Sequence, residues 1–469
     1  MNPFLNPFIT IPFLKNYILD PQRLKRFSPQ DLRKYQDKML RQIIRYAYTI
    51  PLYHTKYKQA GIHPTDIRGI VDISKLPLIS KQDLINNFPD NLLPTNYPPS
   101  KAYVVSTGGT TGKPVSIYTD FPTILRAIGP MQAQFHYFNL NLRKIKIAHL
   151  GNFNRYRIDK VVEEQFLPKL KYFYTKNNTL NIDVSTRVKD IIAKLDAYQP
   201  DLIISYPAIF QHLAYLKKNG YGSKIQPKLL QVGGAILDEY TRDYVEDAFN
   251  CELRNIYLSV EAQANIAFEC SKRHWHIHSD FFHLETIDEN NDLVQPSKRG
   301  HIVLTRLFGK GTPIIRYTGM DDWVTLSDNH YPACEFHSPI FANPVEGRMR
   351  ANIILPNGKI FPPGAFCFIS PILHDLKTYK IKQYQIIQHT IHKIEILLVQ
   401  DPQLKDTKPT LKEIAQKIHE VYQQKVGPDV TIFIHEVEEI SSDSKTGKPA
   451  PIVISHVHPK QGEKILDST

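Results

Sequence analysis

Four cysteines in 469 residues, at positions 251, 270, 334 and 367, are too few and too scattered for a secreted scaffold stapled by disulfides. A reducing cytosol suits this usage, so a cytoplasmic protein is expected. Long apolar runs are also missing. The stretch Met1-Asn2-Pro3-Phe4-Leu5-Asn6-Pro7-Phe8 is apolar and aromatic, but prolines interrupt it and Lys15 ends it short of the ~20 residues a membrane span needs. It lacks the basic start and small-residue cleavage site of a signal peptide and reads as a segment packed on the body of the protein, with peripheral membrane contact the alternative. There is no block of lysine and arginine. The 58 Lys+Arg exceed the 46 Asp+Glu, for a net charge of +12, yet they are spread along the chain. Nucleic-acid binding would gather them into a stripe on a recognisable module, so nucleic acid is excluded as a partner. The surplus reads as a solvated basic surface or, functionally, as attraction for polyanionic small molecules such as nucleotides. No repeat with a period of about 20 to 50 residues recurs.

What remains is a globular composition, 42% hydrophobic and 22% charged, long enough for two or three cores. Ser28-Pro29-Gln30-Asp31 predicts a helix start, with a capping serine, a proline tolerated in the first turn and an acid at the positive end of the dipole. The apolar positions Leu32, Tyr35, Met39, Ile43 and Tyr46 predict its buried face, ending before Pro51. Ser80 with Asp83 predicts a second start, and residues 1–95 are expected to be mainly helical. From Lys101 to Thr318, β-branched runs (Lys144 to Leu150, Asp201 to Ser205, Leu229 to Val232) alternate with helical stretches, which predicts an α/β body. Beyond residue 348 the pattern changes. Two strands within Gln383 to Val399, a helix over Leu411 to Lys425 (Leu411, Ile414, Ile418, Val421) and a strand at Val430 to Val437 predict a small β-β-α-β domain. The expected division is a large α/β domain over 1–348 and a small mobile α+β domain over 349–469.

Ser106-Thr107-Gly108-Gly109-Thr110-Thr111-Gly112-Lys113-Pro114 lies between two strand-like runs, Ala102 to Val105 and Val115 to Tyr118. Glycines let backbone fold closely around an anion while hydroxyls and N–H groups point inward, which suits triphosphate oxygens; a plain hairpin connection is the alternative. It is not a Walker A loop, because Thr107 stands where the first glycine belongs and Pro114 follows the lysine. Further on, Gly233-Gly234-Ala235 ends a strand, and Tyr257 and Glu261 follow in Asn255-Ile256-Tyr257-Leu258-Ser259-Val260-Glu261. The aromatic can cover a base and the carboxylate can hold Mg²⁺, although such a pair is more often found on the surface. Asp321-Asp322, after an apolar strand, offers carboxylate acceptors for two ribose hydroxyls or forms an ordinary acidic turn. Gly447-Lys448 lies in a polar loop that can present an ammonium in a cleft; Lys445 competes, and a loop lysine is ordinarily a solubility residue.

The STGGTTGKP segment resembles the phosphate loop of adenylate-forming enzymes, and the chain is similar more narrowly to phenylacetate-CoA ligases and their capsule-gene relatives. The resemblance spans nearly the whole chain, from Ile43-Ile44-Arg45-Tyr46-Ala47-Tyr48 and Pro51-Leu52-Tyr53 through Leu76-Pro77 and Lys81-Gln82-Asp83-Leu84 onward. It implies ATP-dependent adenylation of a small carboxylic acid, aryl or otherwise apolar, followed by transfer to CoA. Ser106 to Lys113 and Gly233, Gly234 and Ala235 would bind nucleotide, Tyr257 would cover adenine and Glu261 would hold Mg²⁺. Asp321 would bind ribose, with Asp322 its rival. Arg348 would contact nucleotide at the domain junction, and Lys448 would be the catalytic lysine. The departures are Leu258 for the family's glycine, a glycine displaced by one before Asp321, and Arg350, Ala351 and Asn352 where relatives carry a hinge aspartate.

Some relatives hold a structural zinc through a Cys, a His in a segment like His274-Trp275-His276-Ile277-His278, and a Cys-x-Cys pair. The matching residues are Cys270, His276 and Cys334, with Pro332 in place of the other cysteine and His337 a candidate fourth ligand. A metal-free remnant is the alternative. Aromatic residues at Phe135 to Phe138 and Tyr206-Pro207 are candidates for an acyl pocket or for ordinary core. A homodimer is a candidate assembly. Rival readings change the acceptor to an amine, a hydroxyl or a carrier-protein thiol, or retain nucleotide binding without turnover.

Overall fold

The computed structural model describes residues 11, 23–107, 115–141, 144–151, 153, 158–166, 168, 178–184, 186, 188–320, 322–327, 334–343, 345, 353–357, 360–361, 366, 368–376, 378, 380–440 and 451–457. Helix α1 (Pro29–Ala47) begins as its sequence dictates, with the Ser28 hydroxyl accepting from the Asp31 amide at 3.2 Å and Pro29 in the first turn. Its buried face is Leu32, Gln36, Leu40, Ile43, Ile44 and Ala47, which corrects the expected stripe. Gln36 is drawn inward because its side-chain amide donates to the Ser279 carbonyl at 2.8 Å. Tyr35 and Tyr46 stay at the margin, where the first hydroxyl accepts from Arg126 and the second donates to the Gly311 carbonyl. Helix α2 (Pro51–Gln59) follows, and α3 (Lys81–Asn87) carries the expected Ser80/Asp83 capping box.

Strands β1 (Tyr103–Ser106) and β2 (Ser116–Thr119) form an antiparallel hairpin. The body is an eleven-stranded sheet. Its parallel half comprises β3 (Ile147–Gly151), β4 (Thr179–Asp183), β5 (Leu202–Ser205), β6 (Leu229–Gly233) and β7 (Leu253–Leu258), in the order β4-β3-β5-β6-β7. The runs at β5 and β6 are almost wholly apolar, as strands covered on both faces must be. One face takes Phe135 of α4 (Phe121–Tyr137) against Ile147, Leu202 and Leu229. The other takes α5 (Val188–Tyr198), α6 (Pro207–Lys218) and α7 (Glu239–Phe249), through Ile191, Phe210 and Val245. Phe135 is therefore core, which settles against it the choice between core and acyl pocket.

The antiparallel half continues through β8 (Asn265–Glu269), β9 (Trp275–Ile277), β13 (Ile340–Phe341), β12 (Trp323–Ser327), β11 (Arg299–Arg306) and β10 (Phe282–Ile287). Strand order reverses on the two sides of β3. The carboxyl ends of β3, β5 and β6 therefore frame the kind of crevice in which open α/β sheets bind ligands.

A two-stranded ribbon, β14 (Ile353–Ile354) with β15 (Ile360–Phe361), precedes a smaller α+β unit. There β16 (Ile381–Thr390) and β17 (Lys393–Gln400) form the expected hairpin, α9 (Leu411–Val426) covers it, and β18 (Thr431–Glu436) joins β17 in parallel. The sequence reading lacked α8 (Ile369–Asp375) and the short strand β19 (Val453–Ser455), which extends the sheet beside β16. The buried stripe of α9 is Ile414, Ile418, Tyr422 and Val426, so Leu411 and Val421 belong to its margin. Tyr240 of α7 is buried in the core of this smaller unit and its hydroxyl donates to the Ile381 carbonyl. No helix among the described residues is long and apolar enough to cross a membrane.

Candidate functional site

The hairpin β1–β2 is closed at its loop end. Ser106 and Ser116 are register partners with hydroxyls 2.7 Å apart, the Thr107 amide donates to the Val115 carbonyl at 2.9 Å, and the Val115 amide donates to the Thr107 hydroxyl at 2.9 Å. Gly108, Gly109, Thr110, Thr111, Gly112 and Lys113 lie outside the described residues. The hairpin is pinned to the loop at 309–312: Tyr118 and Thr312 exchange bonds at 3.0 Å through their amides, the Tyr118 carbonyl and the Thr312 hydroxyl. Gly311 has φ +76°, and a Cβ there would stand 2.5 Å from the Tyr118 carbonyl oxygen. Glycine meets both the backbone and the steric demand.

At the carboxyl end of β6, Gly234 turns at φ +75°, and a Cβ would meet the Tyr206 ring at 2.9 Å. Gly233 is covered by Ile256 and by Leu258, the residue that departs from the family pattern. Ala235 is exposed nearby. Tyr257 and Glu261 are both buried, which corrects the surface alternative. The Tyr257 hydroxyl donates to Asp322 Oδ2 at 2.7 Å, while Asp321 lies outside the described residues.

Glu261 sits in a turn held from three sides. The Ala262 amide donates to the Ser259 hydroxyl at 3.0 Å, Arg306 Nη1 donates to the Glu261 carbonyl at 3.2 Å, and the Tyr317 hydroxyl donates to Glu261 Oε1 at 3.0 Å. Gln263, at φ +60°, accepts at Oε1 a 2.6 Å hydrogen bond from the buried Thr119 hydroxyl at the end of β2. Two segments 144 residues apart, the glycine-rich hairpin and the acidic turn, are thereby joined. Arg306 reinforces the junction: wholly buried, it also donates through Nη2 to the Thr312 carbonyl at 2.7 Å, and burial pushes its guanidinium down to about 10.

Cys270, His276 and Cys334 form one cluster, their ligand atoms all within 4.8 Å of one another. The two sulfurs are 3.9 Å apart, and His274 Nδ1 lies 3.1 Å from Cys334 Sγ. A tetrahedral zinc with Zn–S near 2.3 Å spaces two thiolates by about 3.8 Å, so the sulfurs already stand at the required separation. Burial, then His274 and His278, push His276 down to about 3, which leaves the neutral imidazole that metals bind. Burial and then Cys270 push the Cys334 thiol up to about 11, so a metal would have to displace its proton. His278 is buried against Phe268 and its Nε2 pairs with Gln134 Nε2 at 3.1 Å.

No protein-family model matches the chain. It is 27% identical over 322 residues to the phenylacetate-coenzyme A ligase of Pseudomonas putida, covering 65% of this chain and 68% of that one. It is 23% identical over 415 residues to the phenylacetate-coenzyme A ligase of Thermus thermophilus, covering 84% and 86%. A solved 2-hydroxyisobutyryl-CoA ligase in complex with 2-HIB-AMP superposes with a TM-score of 0.74 at 16% identity, over 96% of this chain and 94% of that one, so the fold is shared. The chain is similar to phenylacetate-coenzyme A ligases over most of its length and shares the fold of a CoA ligase that forms an acyl-adenylate.

Of the residues the family pattern singles out, the structure places Ser106, Thr107, Gly233, Gly234, Ala235, Tyr257 and Glu261. Gly108 to Lys113, Asp321, Arg348 and Lys448 lie outside the described residues, as does Pro332. Thr119, Gln263, Arg306 and Tyr317 were not read as site residues. Tyr317 lies just before the displaced glycine and Asp321, a stretch the sequence already marks; the other three act through contacts that no local pattern announces.

Proposed function

We propose that the chain adenylates a carboxylic acid with ATP, releasing pyrophosphate, and passes the acyl group to CoA. The observation that carries this reading is the Thr119–Gln263 bond of 2.6 Å, which ties the hairpin that bears the glycine- and threonine-rich segment to the turn that holds the buried Glu261. Support comes from relatives named phenylacetate-coenzyme A ligase and from a solved neighbour of the same fold that holds an acyl-AMP. The acid is aryl or otherwise apolar, with Tyr206 beside Gly234 as a candidate wall of its pocket.

Attack of a weak carboxylate on α-phosphorus gathers negative charge, so preorganised cations and N–H groups lower the barrier most. Thr110, Thr111 and Lys113 cradle the phosphates, Tyr257 covers the base, Asp321 holds the ribose and Arg348 contacts the nucleotide. Glu261 suits Mg²⁺ because Tyr317 occupies Oε1 while Oε2 has no partner among the described residues, leaving one hard oxygen for a cation that keeps most of its waters. When bound, Mg²⁺ supplies charge neutralisation on the phosphates. Cys270, His276 and Cys334 would hold a structural zinc; His337 is exposed and lies outside that cluster, so it does not complete the site. The large unit spans 1–348 and the small unit 349–469, and the small unit turns between the two half-reactions.

Lys448 stabilises the charge at the α-phosphate in this account. Lys448→Ala is expected to lower kcat for acid-dependent ATP–pyrophosphate exchange by about 10²- to 10³-fold while ATP binding survives. Near-normal exchange across a panel of aryl, fatty and amino acids would overturn the assignment.

A further inference from the structure

Glu261 is placed by a residue that need not touch nucleotide. The Tyr317 hydroxyl is 3.0 Å from Glu261 Oε1, and the tyrosine is 0% exposed. Its backbone is fixed from two directions. Tyr317 and Leu304 exchange amide-to-carbonyl bonds, both at 2.9 Å, and on the other side the Thr318 amide donates to the Ile79 carbonyl at 3.0 Å while the Ile79 amide donates to the Arg316 carbonyl at 2.9 Å. Arg316 enters this segment at φ +47°, a costly conformation for a side-chain-bearing residue. It is held there by its guanidinium, through Nε to Glu285 Oε2 at 3.1 Å and through Nη1 to the Ser74 carbonyl at 3.0 Å. Gly319 leaves the space the hydroxyl fills, since a Cβ there would stand 2.4 Å from the tyrosine oxygen. A rigid crossing of three chain segments therefore points one O–H at one carboxylate oxygen.

We infer that Tyr317 is a positioning residue for the cation site, holding Glu261 Oε1 so that Oε2 alone is presented to Mg²⁺. The inference deepens the proposed function and rests on the reading of Glu261 as the Mg²⁺ ligand. An outer partner of this kind fixes the rotamer of a ligand and limits it to one oxygen. Removing one typically costs about 10- to 100-fold in metal affinity or activity. A bond that merely completed the core would leave the metal requirement unchanged.

The test is the Mg²⁺ dependence of ATP–pyrophosphate exchange by the full chain, compared among the wild type, Tyr317→Phe and Glu261→Gln, with thermal unfolding of each. Tyr317→Phe is expected to raise the half-saturating Mg²⁺ concentration about 10- to 100-fold, with the KM for the acid unchanged and rate restored at high Mg²⁺. An unchanged Mg²⁺ curve for Tyr317→Phe beside a shifted one for Glu261→Gln overturns the inference alone. Unchanged curves for both overturn the reading of Glu261 and the inference with it. If Tyr317→Phe does not fold, Gly319→Ala displaces the hydroxyl without deleting it and is expected to shift Mg²⁺ dependence in the same direction. A folded Gly319→Ala with the wild-type curve would count decisively against the inference.

Discussion

Arg306 heads the wholly buried side chains by size, and among the described residues no carboxylate lies within ion-pair distance of it. A guanidinium withdrawn from water without a paired anion is expensive, even with carbonyls as partners. Its carbonyl partners belong to Glu261 and Thr312, one on the acidic turn and one on the loop that grips the β1–β2 hairpin. The cost is borne where two segments of the candidate site meet, which is where strain and unpaired charge are expected to collect. The Cys270–His276–Cys334 cluster invites a direct experiment at the same scale. Three converging ligands with sulfurs 3.9 Å apart predict about one zinc per chain in protein purified without chelator, measured by elemental analysis. Cys270→Ser is expected to lose that metal and to lower the unfolding temperature. Equal metal content in Cys270→Ser and the wild type would place any zinc elsewhere.

At the scale of the element, the loop carrying Gly311 is predicted to set the grip on nucleotide through β2, which it holds at Tyr118. Gly311→Ala forces a left-handed alanine, at a cost of about 1–2 kcal/mol, and drives a Cβ to 2.5 Å from the Tyr118 carbonyl of β2. Gly61→Ala is the matched control, because Gly61 has φ +66° and nothing within 4 Å of the added atom. Both substitutions should lower the unfolding temperature; Gly311→Ala alone should raise the KM for ATP severalfold. Equal KM values in the two variants would show that β2 does not carry the effect.

Such elements were partly legible. The caps at Ser28 and Ser80 and the apolar runs of β5 and β6 act within a few residues, so the chain shows them locally. The stripe of α1 was misread because Gln36 is buried by a carbonyl 243 residues away, and β19 because three residues become a strand only beside β16. At the site the same division holds. Tyr257, Glu261 and the glycine turn announce themselves as motifs, whereas Thr119–Gln263 and Arg306 exist only once β2, the 261 turn and β11 have been brought together.

For the whole molecule, the proposal requires the smaller unit to occupy more than one position, and the contacts that hold it in this one are identifiable. Tyr240 is buried among Ile381, Tyr384 and Ile418, and Lys382 Nζ of β16 stands 4.7 Å over the Tyr215 ring of α6. The Tyr240 hydroxyl also donates to the Ile381 carbonyl. Interfaces between units of one chain ordinarily permit relative motion. If Lys448 must approach the nucleotide for adenylation and withdraw for transfer to CoA, fixing α6 to β16 should permit one half-reaction and block the other. A Tyr215→Cys, Lys382→Cys pair joined by a short reducible cross-linker tests this, with identically treated wild type as control. Acid-dependent pyrophosphate exchange and thioester formation from preformed acyl-AMP, measured separately, are expected to diverge by at least about tenfold, the ratio that a 1.4 kcal/mol restriction imposes, and reductant should restore the lost half. Retention of both activities in fully cross-linked protein would mean that α6 and β16 stay together throughout, so that any movement of Lys448 would have to come from its own loop.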